Sequence, residues 1–222
     1  MPRPIRRYLP DPMKQYHVSR KFGLQAHLPP PVPEEGLRRM LFSQEDLDIE
    51  MQPNGRLENC RRHAVRPATI HPSIEISLEQ PLTTGLSDLR CAQVWKVMCM
   101  GKPMVARFFD PLYVEDLTGR CDIFKRIDRA VALECMAYKA LENLQGAIVP
   151  RFVGCFLTMV AAPDGVENNF ERGVYVLLME FIPGHDLRSP PEDEDYLCDL
   201  HKAAILDAIS LAQHLIVLHG VH

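Results

Sequence analysis

Residues 173–187 read GVYVLLMEFIPGHDL, and the fold of this chain is predicted outward from that stretch. The apolar and partly β-branched residues at 174–179 predict a buried strand, because such side chains pack well on a pleated surface. An acidic residue and an aromatic residue end the run, and Pro183-Gly184 is typical of a turn. The stretch therefore predicts a central strand that leads into a hinge near 180–184.

The first 72 residues differ in composition from the rest of the chain. Residues 1–40 contain eight prolines and carry eight Lys or Arg against three Asp or Glu, a local net charge of +5. Apart from a short helix predicted at 41–51, no apolar period is sustained, so 1–72 is predicted to be a disordered, basic and proline-rich region. The proline run at 29–33 could dock on a protein partner of the SH3 type, and the basic residues could contact an acidic partner, a membrane surface or RNA. A solvated tail without a specific partner is the simpler interpretation.

From residue 73 onward the pattern predicts a sheet with one packed helix. Ile74, Ile76 and Leu78 alternate with polar residues, which is the period of a half-buried strand. Other apolar segments predict further strands at 91–99, 104–109, 151–159 and 174–181, and helices at 122–145 and 202–219. The predicted fold is α+β: a five-stranded antiparallel sheet with one helix, then a hinge and the first helices of a helical lobe, in a domain at 73–222.

Two charged residues stand out because each interrupts an apolar face. Glu134 lies in the middle of the apolar face predicted for the first long helix. Arg107 shares a strand face with Val105 and Phe109, since neighbours on a strand point to opposite sides. Pairing would explain both, and Arg107→Ala would then cost about 3 kcal/mol or more if the pair is buried. The alternative places Glu134 at the rim of the helix and Arg107 at the surface.

Four segments, taken in order, resemble the N-terminal lobe of the eukaryotic protein-kinase fold, and most of all the kinase-like proteins of fungi. They read VARFFDP at 105–111, ECMAY at 134–138, QGAIVPRFVG at 145–154 and LMEFIPG at 178–184. The resemblance covers about residues 73–222. It implies ATP as the cofactor and phosphoryl transfer to a protein Ser or Thr as the family's activity.

The resemblance also implies roles for individual residues. Val94 would cover the adenine, and Met179 would stand at the gatekeeper position behind it. Glu180 and the backbone of Ile182 would hydrogen-bond the edge of the adenine. Arg107 stands where the family has its phosphate-binding lysine. The cofactor-binding residues implied in this way are Gly85, Val94, Arg107, Glu134, Met179, Glu180 and Ile182.

Three departures from the family's pattern argue against catalysis. An arginine at 107 can keep the ion pair with Glu134, but its planar fork does not replace a compact ammonium, and Lys96 is either a substitute or a surface residue. Gly85 is a single glycine where the family has G-x-G-x-x-G. The catalytic-loop and D-F-G residues are absent from the sequence, which reaches His222 where that loop would begin. No catalytic residue is therefore predicted, and the residues present do not support a Mg²⁺ site.

These observations leave three functional interpretations. The leading one is a protein-kinase-like domain that is truncated before its catalytic loop and inactive as written, so that its standing as an enzyme is open. The second is a non-catalytic pseudokinase or interaction module. The third is a fragment of a small-molecule phosphotransferase of the aminoglycoside or choline type.

Composition argues against several other classes. A net charge of -4 gives no sign of nucleic-acid binding. The N-terminus has no apolar signal-type segment, and no run approaches the roughly 20 apolar residues that span a bilayer. Seven cysteines without C-x-x-C spacing predict reduced thiols rather than a zinc site. We therefore predict an intracellular protein, cytoplasmic or nuclear.

Overall fold

The computed structural model describes residues 14–32, 41–65, 73–83, 91–114, 121–163 and 170–184. These residues form six strands, three α-helices and two short 3₁₀ turns. The α-helices and strands are β1 (Lys21–Ala26), α1 (Gln44–Glu50), α2 (Gly55–Arg62), β2 (Ser73–Thr83), β3 (Gln93–Cys99), β4 (Lys102–Phe109), α3 (Ile123–Ala140), β5 (Phe152–Ala161) and β6 (Glu171–Glu180). None of the described helices is long and apolar enough to cross a membrane.

The six strands close into an antiparallel barrel. Their order around it is β1-β2-β3-β4-β6-β5, and β1 completes the circle because it pairs with β2 on one side and with β5 on the other. Leu24 of β1 lies opposite Ile74 of β2, and Ala26 of β1 lies opposite Phe156 of β5. A closed barrel has no free sheet edge, so neither β2 nor β5 is left open to an added strand.

The fold predicted from the sequence is therefore wrong. The sheet is a closed barrel of six strands with three helices, not the open five-stranded sheet of a kinase N-terminal lobe followed by a helical lobe. The additional strand, β1, lies within the stretch 1–72, as does α2, although that stretch was predicted to be disordered apart from a short helix at 41–51, where α1 lies. The helix predicted at 202–219 lies outside the described residues.

The inside of the barrel is filled by alternate residues of all six strands. Trp95 of β3 is fully buried there, together with Phe22 and Leu24 from β1 and Ala106 and Phe108 from β4. The aromatic rings meet at short range, since the Phe22 and Phe108 centroids are 5.3 Å apart. This close packing of buried side chains stabilises the barrel.

Helix α3 covers part of the outer surface of the barrel. Asp122 caps its first turn by accepting hydrogen bonds from the backbone N–H groups of Phe124 and Lys125. Its inward residues, Ile127, Val131 and Cys135, join a second apolar cluster with outer-face residues of β4, β5 and β6. β6 is thus buried on both faces, which explains the continuous apolar run at 174–179.

Buried polar networks fasten the N-terminal segments to the barrel. Arg172 of β6 donates to both carboxylate oxygens of Asp110, at 2.8 and 2.6 Å, and Tyr16 donates to the same carboxylate at 2.7 Å. In α2, the Arg56 guanidinium lies 2.6 Å from Glu50 and also donates to backbone carbonyls beside β4. Both networks tie residues before 73 to the core, so the described segments 14–32 and 41–65 are integral to the fold.

Candidate functional site

The ion pair predicted between Arg107 and Glu134 is present. Nη1 of Arg107, on β4, donates to Oε1 of Glu134, on α3, at 2.6 Å. The pair lies at the edge of the helix–barrel contact and is partly buried: the side chain of Arg107 is 36% exposed and that of Glu134 is 18% exposed. The guanidinium also lies 5.5 Å from the centre of the Phe109 ring. The pair joins α3 to the outer face of the barrel.

Strand register places Arg107 within a row of half-buried side chains. Val94 on β3 lies directly opposite Arg107, and Lys96 lies opposite Val105. Directly paired residues share a face of the sheet, so these four side chains point outward together. We call this surface the outer shelf and define it as Val94, Lys96, Val105, Arg107 and Phe181. All five are half-buried, whereas the alternate residues of β3 and β4 fill the barrel.

The end of the outer shelf carries a second cation. The Nζ atom of Lys96 lies 5.2 Å from the centre of the Phe181 ring and 3.1 Å from Oε2 of Glu79. Lys96 therefore shares a face with Arg107, as a substitute phosphate ligand would need to, but Glu79 already neutralises it. An aromatic ring, two apolar side chains and two cations thus lie on one surface.

The other residues implied by the resemblance differ in their burial and in their partners within the chain. Met179 lies directly opposite Val105 on the same outer face of the sheet, but it is buried under α3, where the Tyr138 hydroxyl donates to its Sδ atom at 3.3 Å. Glu180 ends β6 and accepts from the backbone N–H of Arg151 at 3.0 Å, so its carboxylate is occupied within the chain. Ile182 follows β6 and is exposed. Gly85 lies outside the described residues, and the cofactor-binding roles of all seven residues stay predictions.

Burial is the largest influence on the pKa of Glu134. Burial raises the pKa of Glu134 above its ordinary value, and the Arg107 guanidinium only partly opposes that shift. The pKa of Tyr138 is also raised, mainly by burial and secondly by the charge of Glu134. Arg107 therefore favours the ionised form of Glu134 against the effect of burial.

Replacing Arg107 with Gln should lower the free energy of unfolding by about 1–2 kcal/mol at pH 7.5, because the pair is intermediate between exposed and buried pairs. This is less than the sequence-based expectation, since Arg107 is one-third exposed. Without Arg107 the pKa of Glu134 should rise further. A pKa raised in the folded state favours the protonated folded form, so the deficit should shrink as the pH is lowered towards about 5. Urea unfolding at both pH values measures this.

The double variant Arg107→Gln/Glu134→Gln is the control for that pH dependence. It has no carboxyl at 134, so its deficit relative to the unmodified protein should not shrink in the same way on acidification. A deficit below about 0.5 kcal/mol for Arg107→Gln would assign the pair to the class of surface contacts that hardly stabilise a fold.

One group of polar residues was missed by sequence reasoning. Asp128 and Tyr175 line a cavity of about 360 Å³ together with His63, at the junction of α2, α3 and β6. In the sequence, Asp128 looks like any other polar residue of an amphipathic helix. No local signal links it to the end of α2, which lies about 65 residues earlier in the chain. Within the described ranges, no group of three His, Cys, Asp or Glu is placed to hold a metal ion.

Comparisons of the chain with protein-family models, with curated proteins and with solved structures found no match.

Proposed function

We propose that the outer shelf binds an adenine nucleotide. The observation that carries the proposal is the guanidinium of Arg107, which Glu134 holds in place beside half-buried apolar side chains. A nucleotide combines a flat base with a polyanion, and it needs an apolar surface next to a fixed cation. The kinase resemblance supports the same ligand through the same residues, but the proposal is for binding and not for a kinase fold.

The hydrogen-bonding capacity of Arg107 supports an anionic ligand. Glu134 uses only Nη1, and the guanidinium has further N–H donors. Nε of Arg107 is buried and has no hydrogen-bond partner among the described residues. A phosphate oxygen would give the Nη N–H groups that Glu134 leaves free a charge-assisted partner, while Glu134 keeps the fork oriented.

The apolar part of the outer shelf supports the base. Val94 and Val105 present branched side chains on neighbouring strands, and Phe181 lies beyond them next to Lys96. An adenine ring lying on this surface would bury apolar area that is now half-exposed. Lys96 could approach the phosphates only by leaving Glu79, so we assign it a secondary role.

Binding of ADP by the full chain, followed by isothermal titration calorimetry, tests the proposal. Arg107→Gln should weaken ADP binding by about tenfold or more, which corresponds to about 1.4 kcal/mol for the lost phosphate contact. Adenosine lacks the phosphates, so its affinity should change by less than about threefold. Arg61→Gln is the matched control, because Arg61 is exposed and pairs with Glu58 on the surface of α2.

Two results would contradict nucleotide binding at the outer shelf. One is the absence of saturable ADP binding to the unmodified chain at millimolar concentration. The other is equal affinity in the unmodified chain and in Arg107→Gln, with both proteins folded. Phosphoryl transfer, a purely interacting role, small-molecule phosphotransfer and a partner for the proline run at 29–33 stay predictions.

A further inference from the structure

A cavity of about 360 Å³ lies beside the N-terminal part of α3. It lies between the end of α2, the first two turns of α3 and the outer face of β6. Asp128, which faces it, precedes Glu134 by six residues, or roughly 9 Å along the helix axis. Its volume is within the range of pockets that hold small molecules, about 300–1,000 Å³.

About half of the cavity wall is apolar, and polar and charged side chains form the rest. Phe109 and Ile127 are almost fully buried where they contribute to it, and Phe124 forms another side. The His63 ring stacks on Phe124 with 4.7 Å between the ring centres. Such walls suit a compact ring or a short aliphatic body, which would bury apolar surface on entering.

One polar group in this cavity lacks a counter-ion. Asp128 is half-buried, has no ion-pair partner among the described residues, and has the Tyr175 hydroxyl as its hydrogen-bond donor there. Burial raises the pKa of Asp128, partly against the Tyr175 hydrogen bond. A half-buried carboxyl group is costly to ionise unless a cation meets it. Asp128 can therefore accept a hydrogen bond from an N–H group of a bound molecule.

The other Arg, Lys, His and Asp side chains of the cavity have partners of opposite charge type within the chain. Arg62 lies 2.9 Å from Glu45, and Nε2 of His63 lies 3.1 Å from Asp46. Lys125 lies 3.9 Å from Asp122 at the start of α3, and Arg172 is held by Asp110. These pairs leave Asp128 as the carboxyl group without an ion-pair partner among the described lining residues.

We propose that this cavity binds a small molecule with an apolar body and a protonated amine or amidine, whose N–H groups donate to Asp128. The proposal is independent of nucleotide binding at the outer shelf. The Tyr175 hydroxyl holds the carboxylate in place from the barrel side. Charge pairing with this half-buried carboxylate supplies the selectivity, because the carboxylate and the cation lose water together only when they meet.

Benzamidine is a suitable probe, since it combines a compact aromatic ring with an amidinium group. Its binding to the full chain should be saturable by calorimetry or by ligand-observed NMR. Asp128→Asn should weaken it by about tenfold or more, because the amide is nearly isosteric but carries no charge. Asp48→Asn is the matched control: Asp48 is an exposed acid on α1, bonded to Gln44, and its replacement should change the affinity by less than about twofold.

Ligand selectivity tests the same proposal without any substitution. Benzyl alcohol and benzoate have the ring but not the cation, so each should bind the unmodified chain at least about tenfold more weakly than benzamidine. Equal affinity for the three ligands would overturn the proposal, because the carboxylate would then have no part in recognition. Equal benzamidine affinity in a folded Asp128→Asn protein, or no saturable benzamidine binding, would also overturn it.

Discussion

Replacing Arg172 with Ala should lower the free energy of unfolding by about 3–5 kcal/mol. Arg172 and Asp110 are each 1% exposed at the side chain, and the guanidinium contacts both carboxylate oxygens. Removing it would leave the Asp110 carboxylate buried with the Tyr16 hydroxyl and a backbone N–H, but without a cation. Gln15 and the carbonyl of Ala161 would each lose a donor as well. A domain that is stable by about 5–15 kcal/mol would be close to unfolding.

Urea unfolding followed by tryptophan fluorescence measures this loss. The chain has one tryptophan, Trp95, which is buried inside the barrel, so its emission reports on barrel opening. Arg61→Ala is the matched control, because it removes an arginine–glutamate pair from the surface of α2 and should cost less than about 0.5 kcal/mol. If Arg172→Ala lost no more than Arg61→Ala, the network would not be holding the N-terminal segment on the barrel.

Local pattern was enough to locate most of the elements between 73 and 184. Alternating or continuous apolar runs predicted β2 to β6, and helical spacing predicted α3, because each segment carries its own burial signal over six residues or more. The short helix predicted at 41–51 corresponds to α1. Closure of the sheet could not be predicted in this way. It depends on β1, whose six residues, KFGLQA, bury only Phe22 and Leu24 and follow a basic, proline-rich segment.

The candidate sites show the same division between local and long-range information. Arg107 and Glu134 could be paired from the sequence, because each was a charge on an apolar face and one partner explained both. Asp110 and Arg172 are 62 residues apart in the sequence. By sequence, Asp110 lies at the end of a strand and Arg172 in a polar loop, and charged residues are common at both kinds of position. Asp128 likewise gained its significance only when α2 packed beside α3. The Asp110–Arg172 network and the cavity at Asp128 both depend on contacts between segments that are distant in the sequence.

Leu24→Ala should lower the free energy of unfolding by about 2–5 kcal/mol, the usual cost of truncating a large buried aliphatic residue. Leu24 is fully buried inside the barrel on β1, whereas Leu28, four residues later, is 83% exposed. Leu28→Ala is therefore the matched control and should change the stability by less than about 0.5 kcal/mol. A disordered N-terminal region would make both substitutions nearly neutral. Urea unfolding followed by Trp95 fluorescence distinguishes a closed barrel from an open sheet, because only closure makes Leu24 part of the core.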